Sequence, residues 1–290
     1  MQDETRLRAL EARIDALERR LSLGGLSVEA ALRRRGWRVS AACATAHVLL
    51  PRGADAGQLD RFYQDLHRYH FRRLLQEVAE LGGVSGEEVA RLEARWGAQT
   101  VHRTFARLAA YGLLERRGQQ FALTVALRTF GGTLEWFVAQ VLQRDFLAPA
   151  AWDVRIREIR GGGDFDVLAV LDGRLAYMEC KGSPPYNVPA DALAEFVGRI
   201  RRLGPDLAAL VLDTTLQIDR NIIANLRPLL ASAPGAAPEI ARVAAGLYEV
   251  RGGAPLFVIT SRRSLVANLG RCLRRFHALT TLSREGGGFR

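Results

Sequence analysis

One short stretch of this sequence combines carboxylates with the only lysine of the chain. Residues 161–182 read GGGDFDVLAVLDGRLAYMECKG, and Lys181 is the single lysine among 41 basic residues. A guanidinium is broad and stays protonated, whereas the compact lysine ammonium can shift its pKa and hold or deprotonate a water molecule. One lysine kept beside carboxylates therefore indicates hydrolytic chemistry at this stretch.

Strand geometry predicts that these groups meet. Glu179 and Lys181 lie two residues apart in a predicted strand, so their side chains emerge side by side. The Asp172-Gly173 turn predicts a tight hairpin, which sets Asp166 level with both of them. Carboxylates that converge at a strand end are suitable hard oxygen ligands for Mg²⁺ or Mn²⁺, and a cation would relieve their repulsion. Asp164 points to the same face as Asp166 and is an alternative ligand.

A third carboxylate comes from the preceding helix, GGTLEWFVAQVL. Glu135 lies at the edge of the buried stripe of this helix, one turn before the small Ala139. We therefore expect Glu135 to face the same site. The alternative is a solvated glutamate favoured by the dipole at the helix N-terminus.

The elements around this stretch follow the order αβββαβ. Three adjacent strands and a crossover helix to a fourth strand imply a mixed sheet with helices on its faces. The predicted elements are a helix over 131–144, strands over 152–160, 165–171 and 174–181, a helix over 189–203 and a strand over 207–215. A helix near 218–231, a strand over 255–260 and a helix over 262–279 extend the same layers.

The set Glu135, Asp166 and Glu179-Cys180-Lys181 on this αβββαβ pattern resembles the PD-(D/E)XK nuclease superfamily, which has a restriction-endonuclease-like fold. The resemblance implies that Asp166 and Glu179 bind the divalent metal, with the backbone carbonyl of Cys180 as a further ligand. It also implies that Glu135 completes the metal shell and that Lys181 orients and activates the attacking water. Phe165 stands where the superfamily motif usually has proline.

Residues 83–124 follow the order helix, turn, helix, hairpin, which resembles a winged-helix domain. In such a domain the second helix lies in the DNA major groove. The side chains that this helix would offer to DNA are Gln99, Thr100, His102, Arg103 and Arg107. The alternative is a winged helix used for packing or dimerisation.

The N-terminal residues 1–24 carry the pattern of a coiled coil. Leu7, Leu10, Ile14, Leu17 and Leu21 alternate in spacings of three and four. Arginines at the g positions and glutamates at the e positions favour a parallel homodimer, and a helix packed on its own protein is the alternative.

We interpret residues 25–82 as a helical linker region that includes one long helix over 56–81.

Composition bounds the class of protein. Apolar residues make up 48% and charged residues 25%, and no apolar run is long enough to span a membrane. The N-terminus lacks the apolar stretch of a secretory signal and the three cysteines form no CxxC pair, so we expect a cytoplasmic protein. More than half of the net charge of +10 lies in residues 262–290 and suits a polyanion, with a solvated arginine-rich face as the alternative.

Together these patterns predict an α/β chain that hydrolyses DNA. The expected parts are a coiled-coil helix (1–24), the linker (25–82), a winged-helix-like DNA-binding domain (83–124) and a Mg²⁺-dependent nuclease domain (125–290). RNA is the alternative substrate. The alternative functions are a DNA-binding regulator with an inactive nuclease fold and a CRISPR-associated effector nuclease.

Overall fold

Helices and strands are distributed along the whole described part of the chain. The computed structural model describes residues 27–51, 53–118, 120–159, 164–231 and 238–285. The N-terminal half contains α1 (Val28–Arg34), β1 (Val39–Ala41), α2 (Ala56–Leu66), α3 (Tyr69–Leu81), β2 (Gly83–Val84), α4 (Gly86–Trp96), α5 (Ala98–Ala110), β3 (Leu114–Arg117) and β4 (Gln120–Leu123). The remainder contains α6 (Gly131–Arg144), β5 (Ala150–Ile156), β6 (Phe165–Leu171), β7 (Arg174–Lys181), α7 (Ala190–Leu203), β8 (Leu207–Leu212), α8 (Ala224–Leu229), β9 (Ile240–Ala244), β10 (Leu247–Val250), β11 (Leu256–Thr260) and α9 (Leu265–Glu285).

A mixed sheet of eight strands forms the centre of the fold. Its strand order is β1-β5-β6-β7-β8-β11-β10-β9. The strands β7, β8 and β11 run parallel to one another, and every other neighbouring pair is antiparallel. The predicted mixed α/β fold with helices on both faces of a mixed sheet is therefore confirmed.

The predicted hairpin between β6 and β7 is present. Val167 pairs with Met178 and Leu171 pairs with Arg174, so the register places Asp166 level with Glu179. The turn between the strands has positive φ at Asp172 (50°) and Gly173 (78°), as a tight hairpin turn requires. The order α6, β5, β6, β7, α7, β8 matches the predicted αβββαβ pattern.

Helices cover both faces of the sheet because alternate strand residues are apolar on each face. On one face the buried residues of β6 and β7 pack with α6, α9 and the helices α2 to α5. On the opposite face they pack with α1, α7 and α8. Met178 and Cys180 belong to the first cluster and Tyr177 to the second, so the alternation predicted for β7 is confirmed.

Residues 83–124 form a small unit with its own antiparallel sheet of order β2-β4-β3. Ser85 forms a capping box at the start of α4, since its side chain accepts from the Glu88 backbone while the Glu88 carboxylate accepts from the Ser85 backbone. The turn before α5 contains Gly97 at φ 83°. Val101, Thr104, Phe105 and Leu108 bury the inner face of α5. The predicted order of helix, turn, helix and hairpin is observed, while its assignment as a winged helix stays a prediction.

The long helix predicted over residues 56–81 is wrong. The chain forms two helices, α2 and α3, that are separated where Arg68 takes an extended backbone conformation with φ −85° and ψ 120°. The break allows Phe62 on α2 and Phe71 on α3 to meet edge to face in the core, with ring centroids 6.1 Å apart. A single straight helix would not bring these two rings together in this way.

The predicted helical linker over residues 25–82 also needs correction. Val28, Ala31 and Leu32 of α1 are buried against the main sheet, and β1 adds to the edge of that sheet beside β5. The strands β9 and β10, which the sequence did not indicate, extend the other edge.

The predicted coiled coil over residues 1–24 lies outside the described residues. Among the described residues, no helix combines the length and the apolar character needed to cross a bilayer.

A buried ion pair fastens α3 to the main sheet. The Arg72 guanidinium donates to both carboxylate oxygens of Asp213 at 2.7 and 2.8 Å, and both side chains are almost fully buried. Asp213 directly follows β8, and its backbone N–H donates to the carbonyl of Lys181 at 2.9 Å. Arg72 also donates to Ser261, which follows β11. The helical N-terminal part is thus attached to the strand ends next to Lys181.

Candidate active site

Glu179 is the most deeply buried member of the predicted site. Its side chain is 1% exposed, although it is a carboxylate near the end of a strand. Its Oε1 accepts from Lys181 Nζ at 2.7 Å, and Arg199 Nη1 donates to both of its oxygens at 2.9 Å. The Tyr177 hydroxyl donates to Oε2. Three side chains therefore hold one buried carboxylate in a fixed orientation.

Lys181 is the last residue of β7 and is less buried than Glu179, with 28% of its side chain exposed. Burial alone would lower the pKa of Lys181, but the negative charges of Glu179 and Asp166 outweigh it and raise the pKa above the ordinary lysine value. The amine is therefore an ammonium at neutral pH. In this state Lys181 can donate to and orient a water molecule, and its predicted part in activating that water stays a prediction.

Asp166 lies beside the end of β7, as the hairpin register predicts. Its Oδ2 accepts from the backbone N–H of Cys180 at 2.7 Å. Burial, followed by the charges of Glu179 and Glu135, raises the pKa of Asp166 well above its ordinary range. The alternative residue, Asp164, is instead paired with Arg155, whose Nε lies 2.8 Å from Asp164 Oδ1. Asp166 is therefore the aspartate that shares the environment of Glu179.

Glu135 reaches the same cluster from the first half of α6. Burial raises its pKa to about 7, and the nearby charges of Asp153 and Glu179 act in the same direction while Lys181 opposes them. The start of α6 is fixed by its neighbours. A side chain at Gly132 would lie 2.5 Å from the carbonyl oxygen of His47, and Thr133 Oγ1 accepts from the Leu49 backbone at 2.8 Å. These contacts set the rotation of the helix and hence the direction of Glu135.

Asp153 is a further carboxylate near the site that the sequence patterns do not predict. It lies in β5 between Trp152, which pairs with Val167, and Val154, which pairs with Phe165, and is therefore level with Asp166. Its backbone has a positive φ of 48°. Burial and then the charge of Asp164 raise the pKa of Asp153. An acid within the apolar strand sequence AAWDVRI was the signal that could have found it.

Two partners of Glu179 were also missed. Tyr177 shares a strand face with Glu179 and Lys181, so the two-residue spacing could have identified it. Arg199 belongs to α7, eighteen residues beyond Lys181, and no spacing rule connects it to β7. Only the packing of α7 on the sheet brings it to Glu179.

The cluster gathers hard oxygen donors around one ammonium, which is an arrangement suited to cation binding and hydrolysis. Burial, followed by the neighbouring negative charges, raises the pKa of Glu135 and of Asp166. Within the described ranges, however, no three His, Cys, Asp or Glu side chains are arranged closely enough to hold a metal ion together. The thiol of Cys180 is buried in the apolar cluster on the α6 side.

The predicted DNA-contacting residues lie on α5, which is distant from this cluster in the sequence. Gln99, His102 and Arg103 are exposed, and Thr100 is half-buried. His102 Nε2 lies 2.6 Å from Glu93 Oε1 on α4. Arg107 is engaged differently, because its Nη1 donates to both oxygens of the buried Asp65 at 2.6 and 2.7 Å. Arg107 thus links α5 to α2 through this ion pair, although 41% of its side chain is exposed.

Comparison with known proteins supports the fold but gives no family. No protein-family model matches the sequence, and no curated protein matches it. Among solved structures, protein VC1899 from Vibrio cholerae is similar, with a TM-score of 0.50 and 16% identity over 87% of this chain and 62% of that chain. Can2 from Sulfobacillus thermosulfidooxidans, solved in complex with cyclic tetra-adenylate, gives a TM-score of 0.46 and 13% identity over 86% of this chain and 61% of that chain.

The chain therefore spans about three fifths of the length of these two proteins. At such low identities the similarity concerns the fold alone. The similarity to VC1899 agrees with the mixed α/β architecture expected from the sequence.

Proposed function

We propose that this protein is a metal-dependent nuclease that hydrolyses phosphodiester bonds of DNA at the cluster of Glu135, Asp166, Glu179 and Lys181. The observation that carries the proposal is the convergence of these acids from three elements on the only lysine of the chain. Burial and the charges of neighbouring carboxylates, Glu179 among them, raise the pKa of both Glu135 and Asp166. A protein gains no stability from such repulsion, so the cluster is best explained by a ligand that neutralises it.

The donor set fits a hard divalent cation. Asp166 and Glu179 offer carboxylate oxygens, Glu135 completes the set, and the carbonyl of Cys180 is a further oxygen donor. Since no three described side chains are close enough as they stand, we expect carboxylates to rotate when Mg²⁺ or Mn²⁺ binds. When bound, the cation would polarise the phosphate and lower the pKa of a water molecule.

Lys181 acts on the nucleophile in this proposal. Its ammonium is partly exposed while Glu179 is not, so it can reach a water molecule or a phosphate oxygen at the surface of the cluster. Because its pKa is raised, it donates hydrogen bonds and positive charge throughout the neutral range. It orients the water and stabilises negative charge on the phosphate, which is the part of catalysis that electrostatic preorganisation supplies.

We propose DNA as the substrate for two reasons, which are the positive net charge of the chain and the small unit formed by residues 83–124. The chain carries a net charge of +10, which favours binding to polyanions. We propose that residues 83–124 act as a winged helix, with Gln99, Thr100, His102 and Arg103 of α5 directed at DNA. Arg107 is left out of this contact set because it is already paired with Asp65.

A second candidate function is a DNA-binding regulator whose nuclease fold is only a scaffold. The observation that favours it is the saturation of Glu179, whose two oxygens already accept from Lys181, Arg199 and Tyr177. A carboxylate held in this way serves as a metal ligand only if one of these donors moves. A regulator of this kind binds DNA and cuts none.

A cleavage assay separates the two candidates. The full chain is incubated with single-stranded DNA, duplex DNA and RNA, each with Mg²⁺, Mn²⁺ or a chelator. We expect metal-dependent cleavage of DNA that falls by at least about a hundredfold in Lys181→Ala, with DNA binding nearly unchanged. Arg33→Ala, in an exposed ion pair on α1, is the control and should cut like the wild type. Binding without cleavage under every divalent metal would favour the regulator.

A further inference from the structure

The buried carboxylate of Glu179 has two cationic partners where one would neutralise it. Lys181 Nζ contacts one of its oxygens at 2.7 Å, and Arg199 Nη1 contacts both at 2.9 Å. The Tyr177 hydroxyl adds a neutral donor. Glu179 carries one negative charge, which Arg199 alone can balance, whereas Lys181 also interacts with the charge of Asp166.

The two cations differ in how firmly they are held. The Arg199 side chain is 13% exposed and the Lys181 side chain is 28% exposed. Arg199 projects from α7, whose residues Leu193, Phe196 and Val197 are buried against the sheet. Its guanidinium keeps its charge at all physiological pH values and meets both carboxylate oxygens, whereas a lysine ammonium is a mobile point charge on a flexible stem. Arg199 is therefore the more permanent partner of Glu179.

We propose that Arg199 is a positioning residue that serves as the permanent counter-ion of Glu179, so that Lys181 can leave this carboxylate and turn to the attacking water and the phosphate. If Lys181 were the sole cation at Glu179, its departure would leave a buried negative charge without a partner, which is strongly unfavourable. With Arg199 in place, Glu179 stays neutralised and oriented while the ammonium moves. This inference rests on the proposed nuclease function.

The kinetic test compares three variants of the full chain. Arg199→Met removes the charge at similar length, Arg199→Lys keeps it, and Arg202→Met alters an exposed arginine of the same helix. We expect kcat for DNA cleavage to fall by at least about tenfold in Arg199→Met, with KM changed by less than about twofold, since the substrate does not touch Arg199. Arg199→Lys should recover most of the loss, and Arg202→Met should match the wild type.

A second readout uses the single lysine and needs neither metal nor DNA. An amine-reactive ester acylates Lys181, and mass spectrometry follows this one site in the folded protein. In Arg199→Met the ammonium becomes the only counter-ion of Glu179, so we expect its acylation to slow several-fold. In Arg199→Lys and Arg202→Met the acylation rate should stay near the wild-type rate.

These outcomes decide the inference separately from the proposed function. Wild-type kcat and wild-type acylation in a folded Arg199→Met variant would overturn it. If Arg199→Met does not fold, Arg199→Lys decides: retained kcat supports the inference, and loss of kcat with an unchanged acylation rate contradicts it. If the wild type cuts no substrate with any metal, the nuclease proposal fails, while acylation still tests whether Arg199 releases Lys181 from Glu179.

Discussion

Burial makes the carboxylates near the ends of β6 and β7 chemically unusual. A carboxylate in water titrates near pH 4, but Glu135 is mostly removed from solvent and lies close to Asp153 and Glu179. Both effects penalise its charged form, so its pKa rises to about 7. The site therefore stores unfavourable electrostatic energy at neutral pH, which a bound cation would release.

The raised pKa of Glu135 predicts how stability depends on pH. Between pH 4.5, its ordinary pKa, and about pH 7 the folded protein keeps a proton that the unfolded chain releases. The contribution of Glu135 to stability is therefore full below pH 4.5 and is lost as the pH rises toward 7. We expect Glu135→Gln to stabilise the protein by about 1–3 kcal/mol at pH 8 and by much less at pH 4.5. Urea unfolding at both pH values measures this, and an equal effect at both would contradict it.

Individual residues were predictable from the sequence only where a local rule applied. Glu179, Lys181 and Asp166 follow from strand alternation and a recognisable hairpin turn, and the register confirms that Asp166 is level with Glu179. Arg199 could not be predicted, because its contact with Glu179 depends on how α7 packs on the sheet. The sign of the pKa shift of Lys181 likewise depends on distances that spacing does not provide.

At the scale of elements, a buried ion pair contributes to the attachment of α3 to the sheet, beside the apolar packing of that helix. Removing one partner leaves the other charge buried without compensation, which typically costs about 3–5 kcal/mol. We expect Asp213→Asn to lower the free energy of unfolding by this amount, because Arg72 is almost fully buried. Chemical denaturation measures the change.

The control for this prediction is the exposed pair of Arg33 and Glu29 on α1. Glu29→Gln should change stability by less than about 1 kcal/mol, since exposed ion pairs contribute little. An Asp213→Asn variant as stable as Glu29→Gln would show that the pair does not hold α3 in place.

Two arginines one turn apart on α5, Arg103 and Arg107, are expected to have different roles. Arg103 is exposed, so Arg103→Ala should weaken DNA binding and reduce the slope of log affinity against log salt by about one. Arg107→Met should leave that slope unchanged and instead destabilise the protein, because Arg107 is bound to the buried Asp65. Binding titrations at several salt concentrations test both. Equal slopes for Arg103→Ala and the wild type would remove Arg103 from the DNA contact.

Elements with strong local signals were predicted with nearly correct bounds. The helix over 131–144 and the strands over 165–171 and 174–181 agree with α6, β6 and β7. The break between α2 and α3 was missed because the apolar pattern continues through it without glycine or proline. The strands β1, β9 and β10 are short edge or near-edge strands, and their pairing depends on partners distant in the sequence.

At the scale of the whole molecule, the sequence predicts a parallel homodimer through residues 1–24, which lie outside the described residues. Heptads with g arginines opposite e glutamates favour this pairing over an antiparallel one. We expect sedimentation analysis to give the mass of two chains for the full protein and of one chain after deletion of residues 1–22. One chain's mass in both cases would rule out the dimer.

Binding of Mn²⁺ to the metal-free full chain is the most direct measurement of whether the acids near Lys181 form a cation site. Electron paramagnetic resonance of free Mn²⁺ at pH 7.5 gives the dissociation constant. We predict specific binding in the wild type, weakened at least about tenfold in Asp166→Asn, with Asp219→Asn, an exposed aspartate of another segment, unchanged. If Asp166→Asn binds Mn²⁺ as tightly as the wild type, the cluster is not a metal site and the proposed hydrolysis there is contradicted.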